Sequence, residues 1–214
     1  MEENQGKALL IGNNGDALYH PLFAVQNQLQ TIFSGEIDVV PSDDYDQLLA
    51  TNLKHYELCI SYADRWSSPT SDAQMAGLLS YVANGGGLLV LHNGISLQAR
   101  HEGAQLVGAR FTGHPASDNL KFEFEAVDHP ILQNCIPFEM IEEPYRFEFG
   151  VLSERELLMS YIHEGKRWAA AWTQRVGLGN VVYLMPGHEL TSFQHPEYSK
   201  LLVNAARWLL MVKK

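Results

Sequence analysis

The sequence has little cysteine, no run of basic residues and no long apolar stretch, and each shortage removes a class of function. Two cysteines in 214 residues, Cys59 and Cys135, cannot form the disulfide framework of a secreted domain, and they match no metal or redox spacing. They fit a reducing compartment, so the cytoplasm is the expected location. The formal charge is −10 and no cluster of Lys or Arg relieves it, which excludes the phosphate-contacting surface that a nucleic-acid partner needs. Nothing approaches the ~18 consecutive apolar residues of a membrane span. The opening MEENQGKALLIGNNG also lacks the charged-then-apolar pattern of a leader. With 46% hydrophobic and 19% charged residues the composition is that of an ordinary globular protein. Its length suits one well-buried domain, expected to cover 1–214.

What is present alternates between two periods. Lys7–Gly12 reads as a strand, and Pro21–Ser34 as a helix with Leu22, Val25, Leu29, Ile32 and Phe33 at helical spacing. Glu36–Val40 and Leu58–Tyr62 follow as strands, Ser71–Asn84 as a second amphipathic helix, and Leu88–Leu91 as a fourth strand. Helices between strands predict an α/β fold with a mostly parallel sheet built from right-handed crossovers. The second half changes character. Lys121–Ala126 (KFEFEA) alternates strictly, as a half-exposed antiparallel strand does. Leu157–Ile162, Ala169–Thr173 and Val181–Met185 are further strands, and a helix from Glu197 to Met211 ends the pattern.

Gly85-Gly86-Gly87 closes a helix and opens a strand, the reverse of a phosphate-cradling loop, so it reads as a helix cap. Gly177 and Gly179 read as a hairpin turn. No nucleotide motif is left.

The nine histidines matter more for their placement than for their number. In GGGLLVLHNG a buried strand runs directly into His92 and Asn93, at the carboxyl end where open α/β sheets place their ligands. His20 follows the first strand and His188 follows Val181–Met185, so parallel pairing would open all three imidazoles on one sheet edge. His114 lies in the turn FTGHP. Asp64 follows LCISY, Glu189 adjoins His188, and Glu143 and Arg146 belong to EEPYRF. A carboxylate beside an imidazole can orient it, raise its basicity or complete a metal shell. His92, His114 and His188 with a carboxylate would suffice for zinc or another divalent ion, although no HxH or HxxxH spacing marks such a site. His55, His101, His129 and His163 read as local capping or surface groups.

The ordered set Gly85–Gly94, GARFTGHP (Gly108–Pro115), DHPI (Asp128–Ile131), EPYRF (Glu143–Phe147) and AWTQRVGLGNVVYLMPGH (Ala171–His188) resembles the ThuA-like family, named after a trehalose utilisation protein. The resemblance is strong from about residue 80 onward and weak before it. It implies the fold of the class I glutamine amidotransferases, a flavodoxin-like doubly wound sheet with helices on both faces, here with an antiparallel excursion in the second half. In those enzymes the strand equivalent to Leu88–Leu91 ends on a nucleophilic cysteine. Here the position is His92, and imidazole cannot form the glutamyl thioester, so glutamine hydrolysis is excluded. The resemblance further implies action on a carbohydrate or keto-sugar derivative. His92, His188 and Glu143 would be the catalytic groups, and His20, Asp64, Asn93, His114, Arg146 and Glu189 would hold the substrate. The alternative is a non-catalytic ligand-binding, metal-binding or assembly module on the same fold. The expected partner is a sugar-like small molecule, with a divalent metal such as zinc and a homo-oligomer both compatible with the sequence.

Overall fold

The computed structural model describes residues 6–15, 17–150 and 154–211. In chain order the elements are β1 (Lys7–Gly12), α1 (Leu22–Phe33), β2 (Asp38–Ser42), α2 (Ala50–Leu53), β3 (Leu58–Tyr62), α3 (Asp72–Ala83) and β4 (Gly87–Leu91). A 3₁₀ segment, His92–Ala99, leads into α4 (His101–Val107), β5 (Ala109–Gly113), β6 (Asp118–Phe124), β7 (Phe138–Glu142) and β8 (Arg146–Phe149). The remainder is β9 (Arg155–His163), β10 (Lys166–Val176), β11 (Gly179–Leu184), α5 (Leu190–Gln194) and α6 (Pro196–Met211).

One nine-stranded sheet runs β2-β1-β3-β4-β11-β10-β9-β6-β7. Its first five strands are parallel, in the flavodoxin-like order with a switch point between β1 and β3. The other four join by antiparallel pairing. The strands β3 and β4 are buried at every position, which is why β4 reads as an unbroken apolar run and β3 is interrupted only by Ser61: helices cover both faces. On one face α6 packs on β3, β4 and β11 beside α1, and on the other α3 and α4 pack on β11. A capping box between Ser71 and Gln74 starts α3, and Gly85, at φ +102°, ends its turn. No helix among the described residues is long and apolar enough to cross a membrane.

Two differences from the sequence reading have local causes. The second strand begins at Asp38 rather than Glu36, because the amides of Glu36 and Ile37 both donate back to the Phe33 carbonyl and prolong the helix turn. The 3₁₀ segment and α4 were not expected, since residues 92–97 are buried all round and show no amphipathic period. The pair β5–β8 forms a separate antiparallel ribbon, and it carries His114 and Tyr145 at its ends.

Candidate functional site: four converging side chains at the sheet edge

The carboxyl ends of β1, β3, β4 and β11 lie side by side, so whatever follows them shares one edge. After β1 the chain returns to it through the Asn13–Pro21 bridge, with the Leu22 amide on the Asn13 carbonyl and the Phe23 amide on Asn14 Oδ1. This return places His20 over the edge. After β4, His92 adopts φ +45°, a left-handed backbone that a non-glycine residue seldom takes and that turns the following segment under β3. After β11, Gly187 at φ +145° makes the bend to His188. A Cβ there would stand 2.9 Å from the His92 Cβ, so only glycine lets the two turns approach.

The antiparallel half supplies the carboxylates. Glu142 ends β7 and Glu143 follows it. Glu143 Oε2 lies 3.3 Å from His188 Nδ1 and 3.4 Å from His92 Nε2, and its other oxygen is 3.7 Å from His114 Nε2. His20 Nε2 is 3.1 Å from His188 Nδ1. One ligand atom each from His20, His92, Glu143 and His188 therefore falls within 4.8 Å of all the others. A tetrahedral ion with bonds of about 2.0–2.1 Å has ligand atoms about 3.3 Å apart, close to the His20–His188, Glu143–His188 and Glu143–His92 separations of 3.1, 3.3 and 3.4 Å.

Outer contacts aim the lone pairs inward. His92 Nδ1 donates to the Met185 carbonyl at 2.7 Å, which leaves Nε2 as the acceptor, and that atom is fully buried without a hydrogen bond of ordinary geometry. His20 Nδ1 lies 3.5 Å from Asp64, whose carboxylate orients the ring the same way. The Asp64 amide is in turn held by Asn13 Oδ1 at 3.0 Å. Three tyrosine hydroxyls fix the surrounding backbone: Tyr183 donates to the His92 carbonyl, Tyr62 to that of Gly187 and Tyr198 to that of Pro186. Tyr145 lies against His92 with ring centroids 4.3 Å apart and the planes tilted by 30°.

Electrostatics follow from this packing. Burial pulls His92 down to about 4, against the opposing pull of Glu143, so its ring is neutral at pH 7. Burial raises Glu143, but the adjacent imidazoles, His188 foremost, outweigh it and hold the carboxyl well below the usual range. The same hydrogen bond with Glu143 raises His188. Neutral imidazole and an ionised carboxylate are the forms that bind a divalent cation.

The structure brings together His20, Asp64, His92, Glu143 and His188, with His114 touching the rim. Three of the residues assigned from sequence have other positions or partners. Asn93 is completely buried, and its side-chain amide donates to the Ala63 carbonyl at 2.9 Å. Arg146 lies over Trp168 and pairs with Glu164 rather than facing the cluster. Among the converging ligand atoms His20 takes the place that the sequence reading gave to His114. Glu189 is exposed and affects His188 only through its charge.

Glu142 was overlooked. It is 1% exposed, and its carboxylate accepts from the Gly187 amide at 2.8 Å, the His188 amide at 3.4 Å and the Ser192 hydroxyl. Burial pushes it up to about 7. It positions the turn that carries His188. The signal was the alternation of FEMIE, which puts Phe138 and Glu142 on the same inward face.

The fold recurs among solved structures. A putative ThuA-like protein from Parabacteroides merdae ATCC 43184 is similar with a TM-score of 0.81 and 16% identity, over 97% of this chain and 90% of that one. One from Bacteroides uniformis ATCC 8492 gives 0.79 and 19%, over 98% and 93%. The cytoplasmic protein STM1381 from Salmonella typhimurium LT2 gives 0.68 and 15%, over 95% and 99%. No curated protein matches the sequence. The family model described as trehalose utilisation matches residues 16–209, nearly the whole chain, and the protein belongs to that family, ThuA.

Proposed function

We propose that the protein is a divalent-metal-dependent enzyme of sugar catabolism that acts on a carbohydrate or keto-sugar derivative. The observation that carries this reading is the convergence of His20, His92, Glu143 and His188, with a buried His92 Nε2 left unsatisfied at the centre. A buried polar atom without a partner is unfavourable by about 1–3 kcal/mol unless something fills its site. Second contacts to His20 and His92 match the way metal-bound imidazoles are held. Three imidazoles and one carboxylate suit zinc or another first-row divalent ion. The bound ion would act as a Lewis acid on a carbonyl or hydroxyl oxygen of the sugar.

The chain's own residues then have distinct tasks. His20, His92, His188 and Glu143 hold the ion, and Asp64, Glu142 and the Met185 carbonyl keep them aimed. His114 is the proton-transfer group. Its Nδ1 donates to the Pro115 carbonyl at 2.8 Å, which leaves the Nε2 lone pair at the rim beside Glu143. A base there can take a proton from the carbon next to a carbonyl and return it elsewhere, which isomerisation, elimination and hydration all require. The test is proton exchange in D₂O. Zinc-loaded protein should incorporate deuterium beside the carbonyl of a keto-sugar, and His114→Gln should slow this by about 10²–10⁴ while binding the same zinc. Absence of exchange with every member of a keto-hexose and keto-glucoside panel contradicts the reading.

A further inference from the structure

Beyond the cluster, an aromatic wall leads outward to the surface. Tyr145 lies tilted against His92, Phe111 lies against Tyr145 with centroids 4.3 Å apart, and Trp66 lies against Phe111 at 5.4 Å. Tyr145 is buried and Phe111 partly so, but Trp66 is 37% exposed. The Arg65 amide donates to Ser96 Oγ at 2.8 Å and the Asp64 amide to Asn13 Oδ1 at 3.0 Å, so the backbone leading into Trp66 is fastened. Gln98 clamps Phe111 through both backbone groups, receiving its N–H at 2.5 Å and donating to its carbonyl at 3.0 Å. A large indole left 37% exposed against Phe111, two residues from the Asp64 that orients His20, is not accounted for by core packing.

Charge narrows what the wall can hold. The carboxylates at the cluster and directly behind it are Asp64, Glu143 and Glu142, and among the described residues no Lys or Arg pairs with any of them. Arg65 lies over the Tyr45 ring 4.4 Å away, and Arg146 is spent on Glu164 and Trp168. A phosphate group would find no cation in these side chains.

Resting on the sugar-site reading above, we propose that Trp66, backed by Phe111, is the platform on which a pyranose ring of an uncharged substrate lies. The C–H face of the ring covers the indole, and the ring oxygens turn toward the cluster. This makes Trp66 a specificity-determining residue that favours cyclic, unphosphorylated sugars over open-chain or phosphorylated ones.

Saturation-transfer NMR on zinc-loaded protein tests it, with trehalose, sorbitol and trehalose 6-phosphate as probes and zinc content measured in parallel. Trehalose should receive saturation at its ring C–H protons, and both sorbitol and trehalose 6-phosphate should bind more weakly. Trp66→Ala should bind trehalose about tenfold more weakly, while Trp66→Phe recovers most of the affinity and all three proteins hold equal zinc. Equal trehalose binding by wild type and Trp66→Ala with zinc intact overturns the platform and leaves the metal site standing. No trehalose binding by the zinc-loaded wild type also overturns it. Loss of zinc in the wild type itself would instead overturn the reading of the cluster, and the trehalose comparison would still decide the role of Trp66.

Discussion

Replacing Glu142 probes how this site is held. Glu142→Ala removes the acceptor for the Gly187 amide, the Ser192 hydroxyl and the longer bond from the His188 amide. A buried donor left unsatisfied costs about 1–3 kcal/mol. The hydroxyl can rotate to another partner and the His188 bond is weak, so the Gly187 amide dominates and the expected loss is about 2–4 kcal/mol. That is a large share of a typical stability of about 5–15 kcal/mol. Glu142→Gln keeps one carbonyl acceptor and sheds the burial of a charge, so it should lose less. Its difference from wild type should also depend on pH. Burial raises Glu142 from 4.5 to about 7 in the folded chain, so its contribution is fully present below about 4.5 and declines as pH rises through about 7. The carboxylate also fixes the turn bearing His188, and outer-shell losses of this kind weaken metal binding about 10–100-fold. Urea unfolding at pH 5 and pH 8, with zinc titration against a competing chelator, measures both effects. A Glu142→Ala protein within about 0.5 kcal/mol of wild type and with unchanged zinc affinity would refute the reasoning.

Three other expectations come from the same geometry. Gly187→Ala forces a side chain into φ +145° and against His92, so stability should fall by about 1–3 kcal/mol and zinc affinity with it; an unchanged unfolding midpoint contradicts this. In metal-free protein, imidazole NMR signals should show His188 taking its proton first, above the usual 6.5, and His92 last, near 4. Because folding disfavours charged His92, its stabilising contribution is present above 6.5 and fades as pH falls through about 4, and the reverse order of protonation would be incompatible with the burial described. The Cys59 thiol, completely buried in β3 and raised to about 12, should resist a thiol reagent at pH 8 until the chain unfolds, with Cys135 reacting first; prompt labelling of both sites would contradict this.

How much of this was legible in the sequence depended on how local the cause was. The strands β1, β3, β4 and β11 could be read because burial on both faces leaves them mostly apolar, and the edge they share follows from their parallel order. The placement of His20, His92 and His188 needs only that edge. His114 and Tyr145 depend on the β5–β8 ribbon, where Phe111 meets Phe147 across a long stretch of chain, and no periodicity announces such a pairing. The inward position of Asn93 against the Ala63 carbonyl follows the left-handed turn at His92, an effect of one backbone angle that propensity does not carry. The choice of Glu143 over Glu142 came from reading a pair of adjacent acids without the strand phase. Both are used, one at the cluster and one behind it.

The claim at the centre of this account is that His20, His92, Glu143 and His188 form a metal site. Elemental analysis of untagged protein, alongside a His92→Ala, His188→Ala double variant, tests it most directly. The account predicts close to one divalent ion per chain in the wild type and none in the variant. A wild type that takes up no ion even after incubation with zinc, or a variant that keeps the same amount, would contradict it.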